Sequence, residues 1–136
     1  MRNKYFISFF IIFGCFISNN LYSKDFWGAL AQIESSNNPK AVGDNLKAIG
    51  IYQIHENYFK DAAEFDKSLQ KYEWKDCFAP EISKKVVIAY MSRYEKKALN
   101  NNDFETLSRA HNGGCGWRKN PKLTNSYWQK IKKNLG

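Results

Sequence analysis

Apolar positions along this chain recur mostly at the three- and four-residue spacing of helices. After Asp25, a suitable N-cap, Phe26, Trp27, Leu30, Ala31 and Ile33 form one face. Glu34 falls on that face, one turn after Leu30 and two after Trp27. A polar stretch then leads to Pro39, which disfavours helical geometry in Asn38 and ends the helix. Gly43, Asp44 and Asn45 give a turn signal between Ala41-Val42 and Leu46, which predicts a small hairpin or irregular loop. The spacing of Ile54, Tyr58, Ala62 and Phe65 predicts a helix over about 52–65, and the polar, aromatic stretch 66–79 reads as a loop. Pro80 and Glu81 open a helix whose Val86, Val87, Tyr90, Met91 and Tyr94 mark it as the central buried one. Asn100, Asn101 and Asn102 break it. Asp103 caps the next, through Phe104, Leu107 and Ala110, and Gly113-Gly114 stops that. A last helix over about 124–133 carries Tyr127, Trp128 and Ile131.

The N-terminus follows another pattern. Arg2, Asn3 and Lys4 precede a mostly apolar run from 5 to 18, with Leu21, Tyr22 and Ser23 as a cleavage box. This predicts a signal peptide over 1–23, its apolar run too short for a comfortable membrane span. Export to a secreted or periplasmic location follows, leaving residues 24–136 as one compact domain. Cys15, preceded by Ile12, Phe13 and Gly14, resembles a lipoprotein cleavage box; lipidated, it would tether the domain to a membrane. Ordinary cleavage is the favoured expectation, because the bulky Phe13 fits such a box poorly.

Two cysteines then remain, Cys77 and Cys115, and an even count in an exported domain predicts one disulfide. Such a bridge would contribute on the order of 2–4 kcal/mol. The full chain carries a net charge of +8. Without the first 23 residues, 19 basic face 13 acidic side chains. That balance suits anionic partners, bacterial wall polymers among them. Neither zinc-finger spacing nor an Arg-rich stripe points to nucleic acid, and a monomer is expected.

Glu34 is the first candidate for chemistry. An acid on an apolar helical face is partly withdrawn from water, and desolvation favours the neutral, proton-donating form. Asp44 lies ten residues on, in the turn that returns the chain towards Gly50. A helix end and a facing hairpin can hold two acids across a cleft, close together for a retaining glycosidase and wider apart for an inverting one. Asp before Asn also commonly does no more than make a turn, and both roles stay open. In the segment 50–54, Gly50 allows close approach of backbone to sugar and Tyr52 offers an apolar wall. Gln53 presents both donor and acceptor to hydroxyl or N-acetyl groups. Asn112, before Gly113 and Gly114 at a helix end, can point its amide into a cleft. His111 beside it contacts substrate, orients Asn112, or is a satisfied structural histidine. His55-Glu56 begins like a zinc protease motif, but Phe59 stands where the second histidine is required. No metal or other cofactor is therefore expected.

Taken together, Gly50-Ile-Tyr-Gln-Ile54, the segment from Tyr58 to Ala62, Tyr72 to Cys77 and Tyr90-Met-Ser-Arg-Tyr94 resemble the lysozyme superfamily. With His111-Asn-Gly-Gly114 and Tyr127-Trp128, the likeness is closest to invertebrate-type lysozymes and destabilases. Ordered matches of this kind cover most of residues 25–130. The resemblance implies a mainly α, α+β lysozyme-like fold, with a small β-hairpin flanking the cleft. It also implies cleavage of the β-1,4 bond between N-acetylmuramic acid and N-acetylglucosamine in peptidoglycan. Glu34 matches the family's acid; Asp44 matches its second carboxylate if the loop changes length slightly. That family is disulfide-rich, whereas this chain keeps one candidate pair. Glu34 and the Ser-Ser-Asn-Asn-Pro after it look like bacterial lytic transglycosylases, which use a single Glu and form anhydro sugars. Destabilases also cleave isopeptide bonds through a Ser/His arrangement, for which no serine here stands out. Two other classes compete with the enzyme reading: a wall-glycan binder on an inactive scaffold, and a basic membrane-active protein.

Overall fold

The computed structural model describes residues 25–136. The expected signal peptide and the Cys15 lipidation box lie outside the described residues. Helix α1 spans Phe26–Ser35, with Asp25 Oδ1 accepting the Gly28 N–H at 2.7 Å. It stops at Ser36, three residues before Pro39. Ser36 takes the left-handed conformation (φ 54°), and its N–H returns to the carbonyls of Ala31 and Gln32.

A three-stranded antiparallel sheet follows, made of β1 (Val42–Gly43), β2 (Ala48–Ile49) and β3 (Ile54–His55) in that order. The expected hairpin is therefore joined by a second one. Its turn is closed by the Gln53 N–H donating to the Gly50 carbonyl at 3.1 Å, with both residues at positive φ. This turn is why helix α2 begins at Glu56 and runs Glu56–Phe65 rather than starting near Tyr52. Ile49 and Ile54 pair across the ladder and both are buried. Helical spacing had linked Ile54 to Tyr58, but the sheet claims Ile54 first.

Residues 66–79 form two 3-10 turns rather than a plain loop. Asp66 caps the first, Lys67–Lys71, by accepting the Ser68 N–H, and Glu73 and Asp76 cap the second, Trp74–Phe78, reciprocally. Helix α3, Pro80–Tyr94, runs through the centre with Val86, Val87 and Met91 fully buried, and it packs most extensively on α2. The break after α3 comes at Glu95, before the Asn run, and α4 (Lys96–Asn100) follows. Glu95 turns inward instead of continuing the helix, its carboxylate meeting both guanidinium nitrogens of Arg118 and the Trp117 indole N–H. Helix α5, Phe104–Gly113, is capped by Asp103; two 3-10 turns, Trp117–Lys119 and Pro121–Thr124, lead into α6, Asn125–Asn134. Leu30, Ile54, Leu69, Met91, Leu107 and Ile131 anchor the core at under 2 % exposure. Each contributes about 1.5–3 kcal/mol through burial.

The expected disulfide is absent. Cys77 and Cys115 are both free, the first sealed in the core and the second exposed on the turn after α5. The Cys77 carbonyl lies under Gly50, while the Cys115 N–H donates to the Tyr90 hydroxyl at 2.9 Å. A bridge needs both sulfurs in one place, and these two pack against different elements. Burial, with the Asp76 charge adding to it, pushes the Cys77 thiol up to about 12.

Candidate active site

Glu34 occupies the last turn of α1, its side chain 17 % exposed. The helix end is tied down by Ser35, whose Oγ lies 2.9 Å from the Ile51 carbonyl. From α6, the Tyr127 hydroxyl donates to Glu34 Oε1 at 2.5 Å. His111 Nε2, from α5, lies 3.5 Å from the same oxygen. Among the described residues Glu34 Oε2 has no hydrogen-bond or ion-pair partner.

The His111 ring is held on both sides. Nε2 is 3.1 Å from the Tyr52 carbonyl, which can only accept, so this nitrogen carries a hydrogen. In the neutral ring Nδ1 is then the acceptor, taking the Tyr58 hydroxyl at 3.2 Å. Tyr58 is in turn stacked on Tyr90, with ring centroids 3.8 Å apart, and meets the His111 ring edge-on. Burial first, then the Glu34 charge, holds the Tyr127 hydroxyl well above the usual tyrosine value. Burial, then the neighbouring Tyr90 and the Glu34 charge, does the same to Tyr58. Both phenols therefore remain donors across the neutral range.

The sheet builds the opposite wall. Asp44 sits in the β1–β2 turn at φ 48°, and its carboxylate lies 3.3 Å from His55 Nε2 at the end of β3. Asp44 and His55 are both about half exposed. Between the walls lies a cleft of about 210 Å³, lined by Glu34, Asp44, Ala48, Gln53, His55, Tyr58, His111 and Asn112. One side supplies a carboxylate with a free oxygen, the other a carboxylate beside an imidazole, and exposed Asn112 stands at the rim.

The structure brings Glu34, Asp44, Gln53, His111 and Asn112 to this cleft and leaves Gly50, Tyr52 and Gly113 elsewhere. Tyr52 is buried edge-on against Trp27, so its ring is no sugar wall; it serves the site through its carbonyl. Gly50 is required by packing: a Cβ there, at φ 78°, would fall 2.1 Å from the Cys77 carbonyl oxygen. Gly113 likewise makes room for Thr124 and Trp117. Gln53 spends its amide nitrogen on the Gly50 and Ala41 carbonyls, at 3.0 and 3.3 Å, which leaves its oxygen. Sequence reasoning missed Tyr127, Tyr58 and His55 as site residues. The first two lay on apolar helical faces and read as core.

A family model described as destabilase matches residues 23–134 of the chain. No curated protein and no solved structure matches it.

Proposed function

The chain belongs to the destabilase family, a family of lysozyme-like enzymes, and from that premise we propose that it is an exported muramidase. Its substrate would be the β-1,4 bond between N-acetylmuramic acid and N-acetylglucosamine in peptidoglycan strands. The observation that carries this reading is the asymmetry of Glu34. Oε1 is occupied by Tyr127 and approached by His111, while Oε2 is free. The transferable proton then belongs on Oε2.

Glu34 donates that proton to the glycosidic oxygen as the C1–O bond breaks, and the leaving sugar departs as an alcohol. Asp44, across the cleft, stabilises the positive charge that develops at C1. Glu34, now a carboxylate, takes a proton from water as its oxygen joins C1, which restores the acid. His55 holds the Asp44 side chain in place.

The exposure of Asp44 favours one second reading, since a half-solvated carboxylate is a weak electrostatic partner. In that case the muramic 6-hydroxyl attacks C1 and an anhydro end forms, as in a lytic transglycosylase. Mass spectrometry of digested peptidoglycan separates the two. Reducing muramic ends, lost in Glu34→Gln and Asp44→Asn alike, support the two-carboxylate hydrolase. Anhydro ends lost only with Glu34→Gln support the transglycosylase. Glycan binding with no soluble products from folded protein would defeat both and favour a wall-binding role.

A further inference from the structure

A second cavity, of about 320 Å³, adjoins the cleft and shares the His55 ring with it. Leu46 and Lys47 of the β1–β2 turn, Asn57 of α2 and Trp74 line it. Leu46 is the third of three successive left-handed residues, at φ 68° after 48° and 52°, and is 77 % exposed. A branched apolar side chain in that conformation costs on the order of 1–2 kcal/mol. Here the strain holds the side chain out in solvent, where burial offsets nothing. Trp74 is set in advance, because its indole N–H donates to the Ile54 carbonyl at 2.8 Å. Among the described residues the Lys47 ammonium has no acidic partner, since Glu56, the acid of this cavity, is paired with Lys60 at 2.7 Å. The Asn57 amide likewise makes no hydrogen bond among the described residues.

An oriented indole, an exposed leucine, an unpaired ammonium and an unpaired amide match a short peptide with free carboxylates. We propose that this cavity is a subsite for the peptide substituent of a muramoyl residue whose sugar lies in the cleft, an inference that rests on the peptidoglycan reading. Lys47 takes a peptide carboxylate and Asn57 a peptide group. Trp74 and Leu46 cover the small apolar side chains. Polymers of N-acetylglucosamine alone carry nothing to fill it, so the subsite confers preference for peptide-bearing wall over chitin.

The test separates binding from cleavage. Calorimetric titration of the purified protein uses the synthetic tetrapeptide L-Ala-γ-D-Glu-L-Lys-D-Ala as probe. Binding is expected to weaken about tenfold in Lys47→Glu and to fall with added salt, because the pair is exposed and screened. In parallel, KM is compared on peptidoglycan and on the same glycan stripped of peptide by an amidase. The wild type should prefer the peptide-bearing form, and the Lys47→Glu and Asn57→Ala variants should lose that preference. Absence of tetrapeptide binding, or equal binding by wild type and Lys47→Glu, would overturn the subsite. Should the wild type bind the peptide yet cleave no glycan, the muramidase reading fails while the subsite stands.

Discussion

Tyr127 reaches Glu34 from 93 residues away in sequence and presses a hydroxyl on one carboxylate oxygen. A hydrogen bond to a charged group contributes about 1.5–3 kcal/mol, so Tyr127→Phe should lower kcat by roughly tenfold or more. The bond reaches the carboxylate rather than the sugar, so KM should change little. An unchanged kcat in folded Tyr127→Phe would mean that Tyr127 supports only the fold. Gly50 gives a contrasting case. A methyl group there meets backbone 2.1 Å away, at a positive φ, and the Cys77 carbonyl cannot swing aside as a side-chain tip would. Gly50→Ala should cost roughly 2–4 kcal/mol, read from urea unfolding. The residue was legible as special in the sequence, but for the wrong reason. Close approach was foreseen, and the partner is the chain itself rather than a sugar.

Elements with strong helical spacing and clear start signals were readable: α1 after Asp25, α3 at Pro80 and α5 after Asp103 all start where their residues indicate. Failures arose where tertiary structure overrode a local signal. Ile54 joined the sheet, and Glu95 left α3 to meet Arg118. The Asp44–His55 pair was illegible because only strand register makes it. Gly43 lies opposite Ala48 and Ala48 opposite His55, which carries the turn residue Asp44 over the imidazole. Cysteine parity failed for a similar reason, since counting says nothing about which elements the two sulfurs face. The structure instead predicts unequal thiols. In native protein a maleimide should label Cys115 readily and Cys77 only after denaturant, because burial keeps the Cys77 thiol protonated near neutral pH. Equal labelling rates, or no free thiol, would refute that arrangement. Glu95 yields a pH prediction. Burial raises its affinity for a proton, but Arg118 and Trp117 outweigh this and hold the carboxyl below its usual value. A depressed folded value stabilises the protein above the unfolded value of 4.5 and is lost as pH falls through the folded one. Glu95→Gln should therefore flatten the acid side of a Tm–pH curve.

At the scale of the molecule the site and the core share parts. Glu34 on α1, Tyr58 on α2, His111 on α5 and Tyr127 on α6 meet at one point, so four helices depend on the same few polar contacts. Two of those contacts are phenols whose protons the fold retains, mainly through burial. Because folded values lie above the ordinary 10.0, this stability is fully present below pH 10 and is lost as pH rises through the folded values. Ionising either phenol would place a second negative charge near Glu34 inside the protein. Alkaline unfolding should thus begin at the site and take the whole domain with it. The chain has 8 tyrosines. In an absorbance titration Tyr58 and Tyr127 should ionise only as the helical signal in circular dichroism collapses. Tyr127→Phe should shrink that coupled step. If all tyrosines titrate together while the helical signal persists, the shared-core view of the site is wrong.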